Sequence, residues 1–478
     1  MSSQLLIESG LHETRAALLE EGRLVEVHIE RGPDAGVVGS IYRGRVSRVL
    51  PGIQAAFVDI GLDRDAFLYV GDLQPTAAGS PSIESVVKSG QELIVQVIKE
   101  PLPGKGARIT SQITLPGLFL VLLPGVDSVS IARRITAPEE RRRLESLLRE
   151  IRPEAAGLIA RTAGAGRTDD ELLQDLRRQE QRWDDIQSRA TTAKAPALLY
   201  QELGLPERAV RDLLDESVGE VWVEGDAAHA RITEFLQAMD TPMAEKVRCY
   251  REAESLFDRF DVEVAIDKAL QSRVWLRSGG FLVINSTEAL VAIDVNTGRY
   301  TGASDLEATA LETNLEAAVE VARQIRLRDL SGIIVVDFID MADSEHQARV
   351  LTHLESVLEN DRARTQVAGV SEFGLVEITR KRIRGGLQQR LAQPCPCCAG
   401  KGWTKGPASV ALELGRALRR RPRGSGQSLR LRAHPHLVKA WQEEQGELLA
   451  ELEAERDQRI ELEEDHRLRP DEYEIVTS

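Results

Sequence analysis

The sequence predicts a multidomain protein with α/β and all-β parts, and three observations carry that reading. At 478 residues the chain is several times the usual domain size, enough for roughly three to five domains around a large core. Short strand-like runs separated by Gly and Pro crowd residues 39–115, the pattern of a small closed barrel. From Gly279 to Arg390 the order becomes strand, strand, helix, strand, helix, strand, which implies a layered α/β sheet.

Taken from the N-terminus, MSSQLLIESGLHETR has neither a cationic nor an apolar leader region, and no stretch approaches the ~20 apolar residues of a membrane span. A cytoplasmic protein without a membrane partner is expected. LLIESG, TRAALLEEG and RLVEVHIE alternate polar and apolar residues as a short antiparallel meander, too small to bury a core alone. Residues 215–278, with the strand GEVWVEG and the helices ARITEFLQAM and EVAIDKALQSRV, are expected to complete it.

The barrel follows, as GSIYRGRVSRVLPGIQAAFVDIGLDRDAFLYVGDL, ELIVQVIKE and GARITSQI. In it Tyr42, Phe57 and Phe67 interleave with Arg43, Arg45 and Arg48. Such aromatics can stack unpaired bases while arginines track a nucleic-acid backbone; the competing reading makes the two Phe residues barrel core. Residues 118–214 mix strands (SVSIARRI, GLIARTAG) with charged helices (PEERRRLESLLREI, DDELLQDLRRQEQRWDDIQ) as an α+β insertion. There GLIARTAGAGRTDDELL runs from a strand through Arg161, Thr162 and a Gly-rich turn into a helix, an arrangement able to bind an anion on backbone N–H groups and a guanidinium. Without a following Walker Lys-Ser/Thr it does not indicate a nucleoside triphosphate, and by itself it is weak.

Two apolar runs in the second half each end on aspartate. FLVINSTEALVAIDVNTG carries Asp294 and Asn296, and GIIVVDFIDM carries Asp337. Read as buried strands, both demand a charge partner for the carboxylate, and neither run offers Lys or Arg. A shared Mg²⁺ satisfies both and suits phosphoryl chemistry. Asp340 points to the opposite face if its strand continues. For a single Asp-Val-Asn-Thr-Gly an Asx turn explains the residues as well, but a second acid ending another apolar run weakens that account. None of the eight histidines lies in a motif, and His346 and His353 read as surface residues. The helix between the runs, Leu306 to Leu330, starts with a capping box (Ser304, Glu307) and stops at Gly332. Asn314 on it is read as hydrogen-bonding either inside the site or between helices; Arg323, Arg326, Arg328 and Lys381 are read as contacts for a nucleic-acid backbone.

The net charge of −15 argues against a polyanionic partner only as an average. Acid concentrates between Glu443 and Glu474, while RGRVSR, ARQIRLRDL, ITRKRIRGG and RALRRRPRG are locally basic. Cys249 stands alone and reads as a buried packing residue. Cys395, Cys397 and Cys398 cluster in CPCCAGKGW, followed by the linker RRRPRGSGQ and a small α/β tail. A CPxC pair occurs in redox proteins before a helix, but AGKG favours a metal knuckle, so zinc is preferred. One CxxC supplies half of a tetrahedral thiolate site, which implies a zinc shared between two protomers.

In order, these motifs resemble the ribonuclease E/G family, and the barrel resembles an S1 RNA-binding domain. VAIDVNTG, TNLEAAVEVARQIRLRDLSGIIVVDFIDM and the CPxCxGxG knuckle carry the resemblance, which extends over nearly the whole chain. It implies an RNase H-like domain split between 1–38 and 215–278, an S1 (OB-fold) domain at 39–117, a 5′-sensor domain at 118–214, a DNase I-like catalytic domain at 279–393, a zinc link at 394–405 and a small C-terminal domain at 406–478. By the same resemblance Asp294 and Asp337 bind Mg²⁺ with Asn296 assisting catalysis. Phe57, Phe67 and Lys105 contact RNA, Arg161 and Thr162 hold a 5′-monophosphate, and Cys395 and Cys398 bind zinc. The expected activity is Mg²⁺-dependent hydrolysis of single-stranded RNA to 5′-phosphate and 3′-hydroxyl ends, in ribosomal RNA processing and mRNA decay, by a homodimer or a tetramer built from it. The rival expectation is a non-catalytic RNA-binding or assembly protein built on the S1 domain. Two departures stand out: the chain has nothing like the long disordered scaffold of ribonuclease E, so degradosome scaffolding is not expected, and Cys397 adds a thiol that leaves the ligating pair open.

Overall fold

The computed structural model describes residues 3–31, 37–74, 82–101, 105–239, 241–298, 306–382, 385–421 and 428–476. The chain divides into two compact units, Met1–Arg390 and Leu391–Ser478.

In the first unit the N-terminal meander consists of strands Ser3–Ser9, Glu13–Glu20 and Arg23–Arg31. Leu5, Leu6 and Ile7 are buried in succession, so the first strand has cover on both faces and cannot be an edge. Its second neighbour is Val218–Glu224, aligned in parallel, which in turn pairs with Val247–Tyr250. The last of these strands was not anticipated. Cys249 on it is only half-buried, with its Sγ 3.4 Å from Asp226 Oδ1, rather than a buried packing residue.

The barrel is formed by Ile41–Leu50, Ala55–Asp59, Ala66–Tyr69, Glu92–Lys99 and Arg108–Thr110. Its first strand closes the ring by pairing with both Ala55–Asp59 and Glu92–Lys99. That double pairing brings Gly44 so close to Val58 that a Cβ there would lie 2.6 Å from the valine, hence the glycine. Val46, Val58, Leu68, Val95 and Ile109 fill the interior. Tyr42 joins them at 8% exposure, which removes it from the aromatics available to stack a base. A sixth strand, Ala197–Tyr200, adds onto the first. In the insertion, a four-stranded sheet packs with helices Pro138–Ile151 and Asp169–Thr192. The carboxylate of buried Asp175 accepts from the N–H groups of Leu118, Phe119 and Leu120 at 2.9–3.2 Å.

The α/β part is one six-stranded sheet in the order Arg273–Trp275, Phe281–Ser286, Leu290–Asn296, Gly332–Asp337, Leu375–Arg380, Thr365–Val370. Helices Leu306–Leu327 and Ser344–Leu358 cover one face, where Val291, Ile293, Val295, Ile334, Val336 and Ile378 meet Ala317, Ala318, Val321, Ile325 and Leu354. On the other face Ala292, Asp294, Ile333, Asp337 and Glu377 are exposed. These runs are therefore buried on one side, where the sequence reading had them buried throughout.

The first helix ends at Leu327, short of Leu330, and Asp329 turns the chain with a positive φ of 50°. Ser304 of the expected capping box lies outside the described residues. Glu307 instead accepts from the N–H groups of Ala342 and Asp343 at 3.1 and 3.2 Å. The arginines on this helix, read as nucleic-acid contacts, are turned inward. Arg326 binds Glu20 (2.7 Å) and Glu26 (2.9 Å) of the N-terminal sheet, and Arg323 donates to the Leu24 carbonyl at 2.8 Å. Arg328 is buried too, donating to Gln324 at 2.5 Å, and burial pushes its guanidinium down to about 10. Lys381 is exposed.

In the second unit, a three-stranded sheet has Ser428–Ala433 between Arg459–Glu464 and Tyr473–Val476, with Pro407–Arg420, Pro435–Glu444 and Gly446–Arg456 packed around Trp441 and Leu414. Residues 422–427 of the basic linker lie outside the described residues. Arg419 before them is paired with Glu455 and Glu451.

Removing one member of a buried ion cluster strands the others, at a cost of about 3 kcal/mol. Arg326→Ala is thus expected to lower the urea midpoint of the first unit, measured by circular dichroism, whereas the same change at exposed Arg133 leaves it unmoved. Burial disfavours the Glu26 carboxylate, but Arg362, His28 and Arg326 outweigh it and hold its pKa well below the usual value of 4.5. Its contribution is then complete above about pH 4.5 and is lost as the pH falls through the depressed folded value, so the midpoint should drop on acidification in that window.

Candidate active site

Strands Leu290–Asn296 and Gly332–Asp337 run parallel and in register from Leu290↔Ile333 to Asp294↔Asp337. The two carboxylates are therefore direct neighbours across the ladder, on the uncovered face, where partner side chains stand roughly 5 Å apart. Asn296, two residues beyond Asp294 on the same face, donates from Nδ2 to Asp294 Oδ2 at 2.7 Å. This bond orients the Asp294 carboxylate and shows Asn296 as a member of the strand rather than of an Asx turn. Among the described residues no group of three or more His, Cys, Asp and Glu side chains converges. A cation here would rest on two carboxylates and water, a donor set that fits Mg²⁺, which keeps several waters and takes one or two protein carboxylates.

The strand ends are fixed from behind. Asn314, fully buried on helix Leu306–Leu327, donates from Nδ2 to the Ile339 carbonyl (2.8 Å) and accepts from the Ile339 N–H (3.0 Å). It therefore pins the segment leaving Asp337, and does so through backbone, neither in the site itself nor to another helix. His346 is half-buried on Glu307 (3.1 Å), so it belongs to the same brace rather than to the surface. Beside Asn296 the chain passes so close to the hairpin that a Cβ on Gly298 would lie 2.4 Å from the Gly279 carbonyl oxygen. Asp340 sits past the end of the strand, exposed in a loop, and so is not on the strand's opposite face.

Away from the carboxylates, Phe57 and Phe67 face each other across two barrel strands, ring centroids 6.0 Å apart, with Arg48 5.5 Å from the Phe57 centroid. Both point outward, while Ala56, Val58 and Leu68 point in, so they are surface aromatics and not barrel core. Lys105 is exposed on the loop that reaches Ala107, whose carbonyl accepts from Phe67 N–H at 2.7 Å. Arg43 is occupied by Glu92 (2.8 Å) and by carbonyls at the end of a helix, and Arg45 by Glu92 (2.9 Å).

Arg161 and Thr162 line an open cavity of about 980 Å³ that also takes in Arg133, Arg134, Arg362 and Arg364. Asp212 steers the Arg161 guanidinium at 2.8 Å. Burial would raise the Asp212 carboxyl, but Arg211 and Arg161 hold it far below the ordinary carboxylate range. Arg362 is shared with Glu26 and Asp215, whereas Arg133 and Arg364 have no carboxylate partner among the described residues. The helix that follows the Gly-rich turn contributes nothing to an anion site. Its N-terminus is closed by a capping box between Thr168 and Glu171, and Gly166 N–H goes to Glu140 at 2.9 Å. The cations missed in the sequence come from positions 133, 134, 362 and 364, too far apart along the chain for any local pattern to link them.

In the second unit, the Cys398 thiol is held below its ordinary range by N–H groups of Gly402 (3.3 Å) and Gly400, with the Cys395 thiol beside it. The turn thus favours the thiolate at Cys398. Cys397 is exposed.

Comparison with known proteins places this geometry in context. Residues 114–383 match the Ribonuclease E/G family. The chain is 41% identical to the protein named Ribonuclease G of Escherichia coli (strain K12) over 464 residues, 95% of either chain. It is 41% identical to Ribonuclease G of Haemophilus influenzae over 425 residues, 87% of either chain. Ribonuclease E of Escherichia coli (strain K12) is 38% identical over 423 residues, which make up 87% of this chain and 40% of that one.

Asn314→Ala removes both partners of Ile339's backbone, each worth roughly 1–3 kcal/mol when left unmade. The amide of Ile339 is then expected to exchange with solvent at least tenfold faster, read by hydrogen-exchange mass spectrometry, while amides in the barrel keep their protection.

Proposed function

The chain belongs to the ribonuclease E/G family and is an endoribonuclease most like ribonuclease G, and from that premise we propose that it hydrolyses single-stranded RNA with Mg²⁺ to leave 5′-phosphate and 3′-hydroxyl ends. The observation that carries this is the in-register pair Asp294 and Asp337 with Asn296 hydrogen-bonded to Asp294. Asp294 and Asp337 would hold Mg²⁺, which would supply positive charge against the phosphoryl oxygens and make a water more acidic. Asn296 keeps Asp294 in place and has amide hydrogen left for a non-bridging oxygen. Water forms the new bond to phosphorus as the bond to O3′ breaks, so the phosphate stays on the 5′ end of the downstream product. The alternative attack by the 2′-hydroxyl calls for positioned acid and base groups, and no histidine lies on this face of the sheet among the described residues.

The remaining parts serve the same substrate. Phe57 and Phe67 stack bases, each worth ~1–3 kcal/mol, with Lys105 on the backbone. Arg161 and Thr162 take a 5′-monophosphate, and Arg133 and Arg364, without carboxylate partners, add charge to the same cavity. In this reading the N-terminal sheet is the split RNase H-like domain, the barrel the S1 domain, the insertion the 5′ sensor and the six-stranded sheet the DNase I-like domain. Cys395 and Cys398 from each of two protomers complete a tetrahedral zinc site, giving a homodimer from which a tetramer can be assembled. Precursor ribosomal RNA and messenger RNA are the proposed substrates. A purely RNA-binding role leaves the exposed carboxylate pair without purpose.

Asp294→Asn and Asp337→Asn should each cut the cleavage rate of a short single-stranded RNA in Mg²⁺ on the order of a thousandfold while the dissociation constant for RNA stays within about threefold. Undiminished cleavage by either variant overturns the assignment. Arg161→Ala should erase a preference for 5′-monophosphate over 5′-triphosphate RNA, measured as the ratio of kcat/KM on matched substrates; equal rates in the unmodified protein reduce Arg161 to a structural role. Metal analysis should find about half a zinc ion per chain.

A further inference from the structure

The uncovered face of the six-stranded sheet holds an aromatic cluster that the proposed chemistry does not use. Trp275 on the edge strand is 63% exposed, and across the ladder it meets Phe281, centroids 5.3 Å apart at 60°. Phe281 in turn is the register partner of Asn296. One row of the sheet therefore reads Trp275–Phe281–Asn296. The adjacent row reads Arg273–Val283–Asp294–Asp337. Register partners share a face, so the rings stand on the same open surface as the carboxylates, one and two strands away, roughly 5 and 10 Å from Asn296. Arg273 ties the two rows together, its guanidinium 4.6 Å from the Phe281 centroid and 5.8 Å from that of Trp275.

We infer that Trp275 and Phe281, with Arg273, form a stacking platform for the base of a nucleotide flanking the scissile phosphate, which positions the RNA strand for cleavage. The inference rests on the reading of Asp294 and Asp337 as the hydrolytic site. A single exposed apolar side chain needs no explanation. Here two rings are joined to a cation beside a site that must receive a polyanion, and a base with its phosphate matches that combination: the base covers indole surface and the phosphate meets the guanidinium. A second copy of the chain would equally cover the rings but would leave Arg273 facing the carboxylates' own substrate path. The platform positions substrate and takes no part in bond making.

The test uses the full-length protein and a 5′-monophosphorylated single-stranded RNA in which one abasic nucleotide is walked through the positions around the cut. In the unmodified protein, an abasic residue next to the cut should raise KM on the order of tenfold. Trp275→Ala should show that raised KM with intact RNA and suffer no further loss from the abasic residue, and Trp275→Phe should keep most of the discrimination. In Asp337→Asn, RNA should quench indole fluorescence, and adding Trp275→Phe should remove most of the quench; this readout needs no cleavage, so it separates failure of the platform from failure of the hydrolytic reading. An abasic penalty in Trp275→Ala equal to that of the unmodified protein, an absent quench, or a shift in oligomeric state on Trp275→Ala by light scattering overturns the proposal.

Discussion

Everything at the carboxylate site depends on one helix. The strands that carry Asp294 and Asp337 run in the same direction, and parallel neighbours need a crossover between them. Helix Leu306–Leu327 lies on that crossover, and it is buried to a degree that its polar content makes costly: Thr313, Asn314, Glu320, Gln324 and Arg326 are all nearly inaccessible. Each obtains a partner. Thr313 bonds back to Thr309, Asn314 to Ile339, Glu320 to Arg23 and Arg323, Gln324 to Glu320 and Arg328, Arg326 to Glu20 and Glu26. A helix tied to Arg23, Glu20, Glu26 and the Ile339 backbone, all outside itself, has few ways to slide or rotate. The alignment of the two aspartates inherits that restriction.

The same helix explains where sequence reasoning succeeded and failed. The strands of the barrel and four of the six strands of the α/β sheet were legible because alternation and Gly or Pro turns are local signals, whereas the strand Arg273–Trp275 begins inside a stretch that reads as helix and the helix itself stops at Ala269. Asp294, Asn296 and Asp337 were legible because acids that end apolar runs are conspicuous. What was illegible in each case lay in a partner distant along the chain. Arg326 reads as a surface cation until Glu20 and Glu26, about three hundred residues earlier, are seen against it. The run GIIVVD is as apolar as a strand buried on both faces, yet only one face has a helix over it, so Ile333 is half exposed. Phe57 and Phe67 are one residue, half a β-period, out of phase with the barrel interior, a distinction that composition hides. Trp275 carried no motif and gains meaning only from the ladder that aligns it with Asn296.

Charge is organised in the same long-range way. The chain is acidic by fifteen charges, yet arginines from two parts of the first unit converge on one cavity. Buried Arg380 holds Asp361 at 2.6 Å and so anchors the segment that delivers Arg362 and Arg364. Part of the arginine population is neutralised inside the fold, as at Arg211 and Arg326, and serves as mortar. Arg133 and Arg364, which have no carboxylate partner among the described residues, stand at that cavity and give an acidic protein a locally cationic mouth.

The split N-terminal sheet has a temporal side. Ser3 pairs with Val218, so the strand Ser3–Ser9 lacks one of its two neighbours until more than two hundred further residues have been made. At synthesis rates of about 5–20 residues per second that interval is roughly 10–40 s, long compared with the folding of a small barrel. The intervening barrel closes on its own pairings and can be finished while LLI at positions 5–7 still lacks part of its cover. An apolar strand left waiting on the ribosome is an invitation to wrong partners.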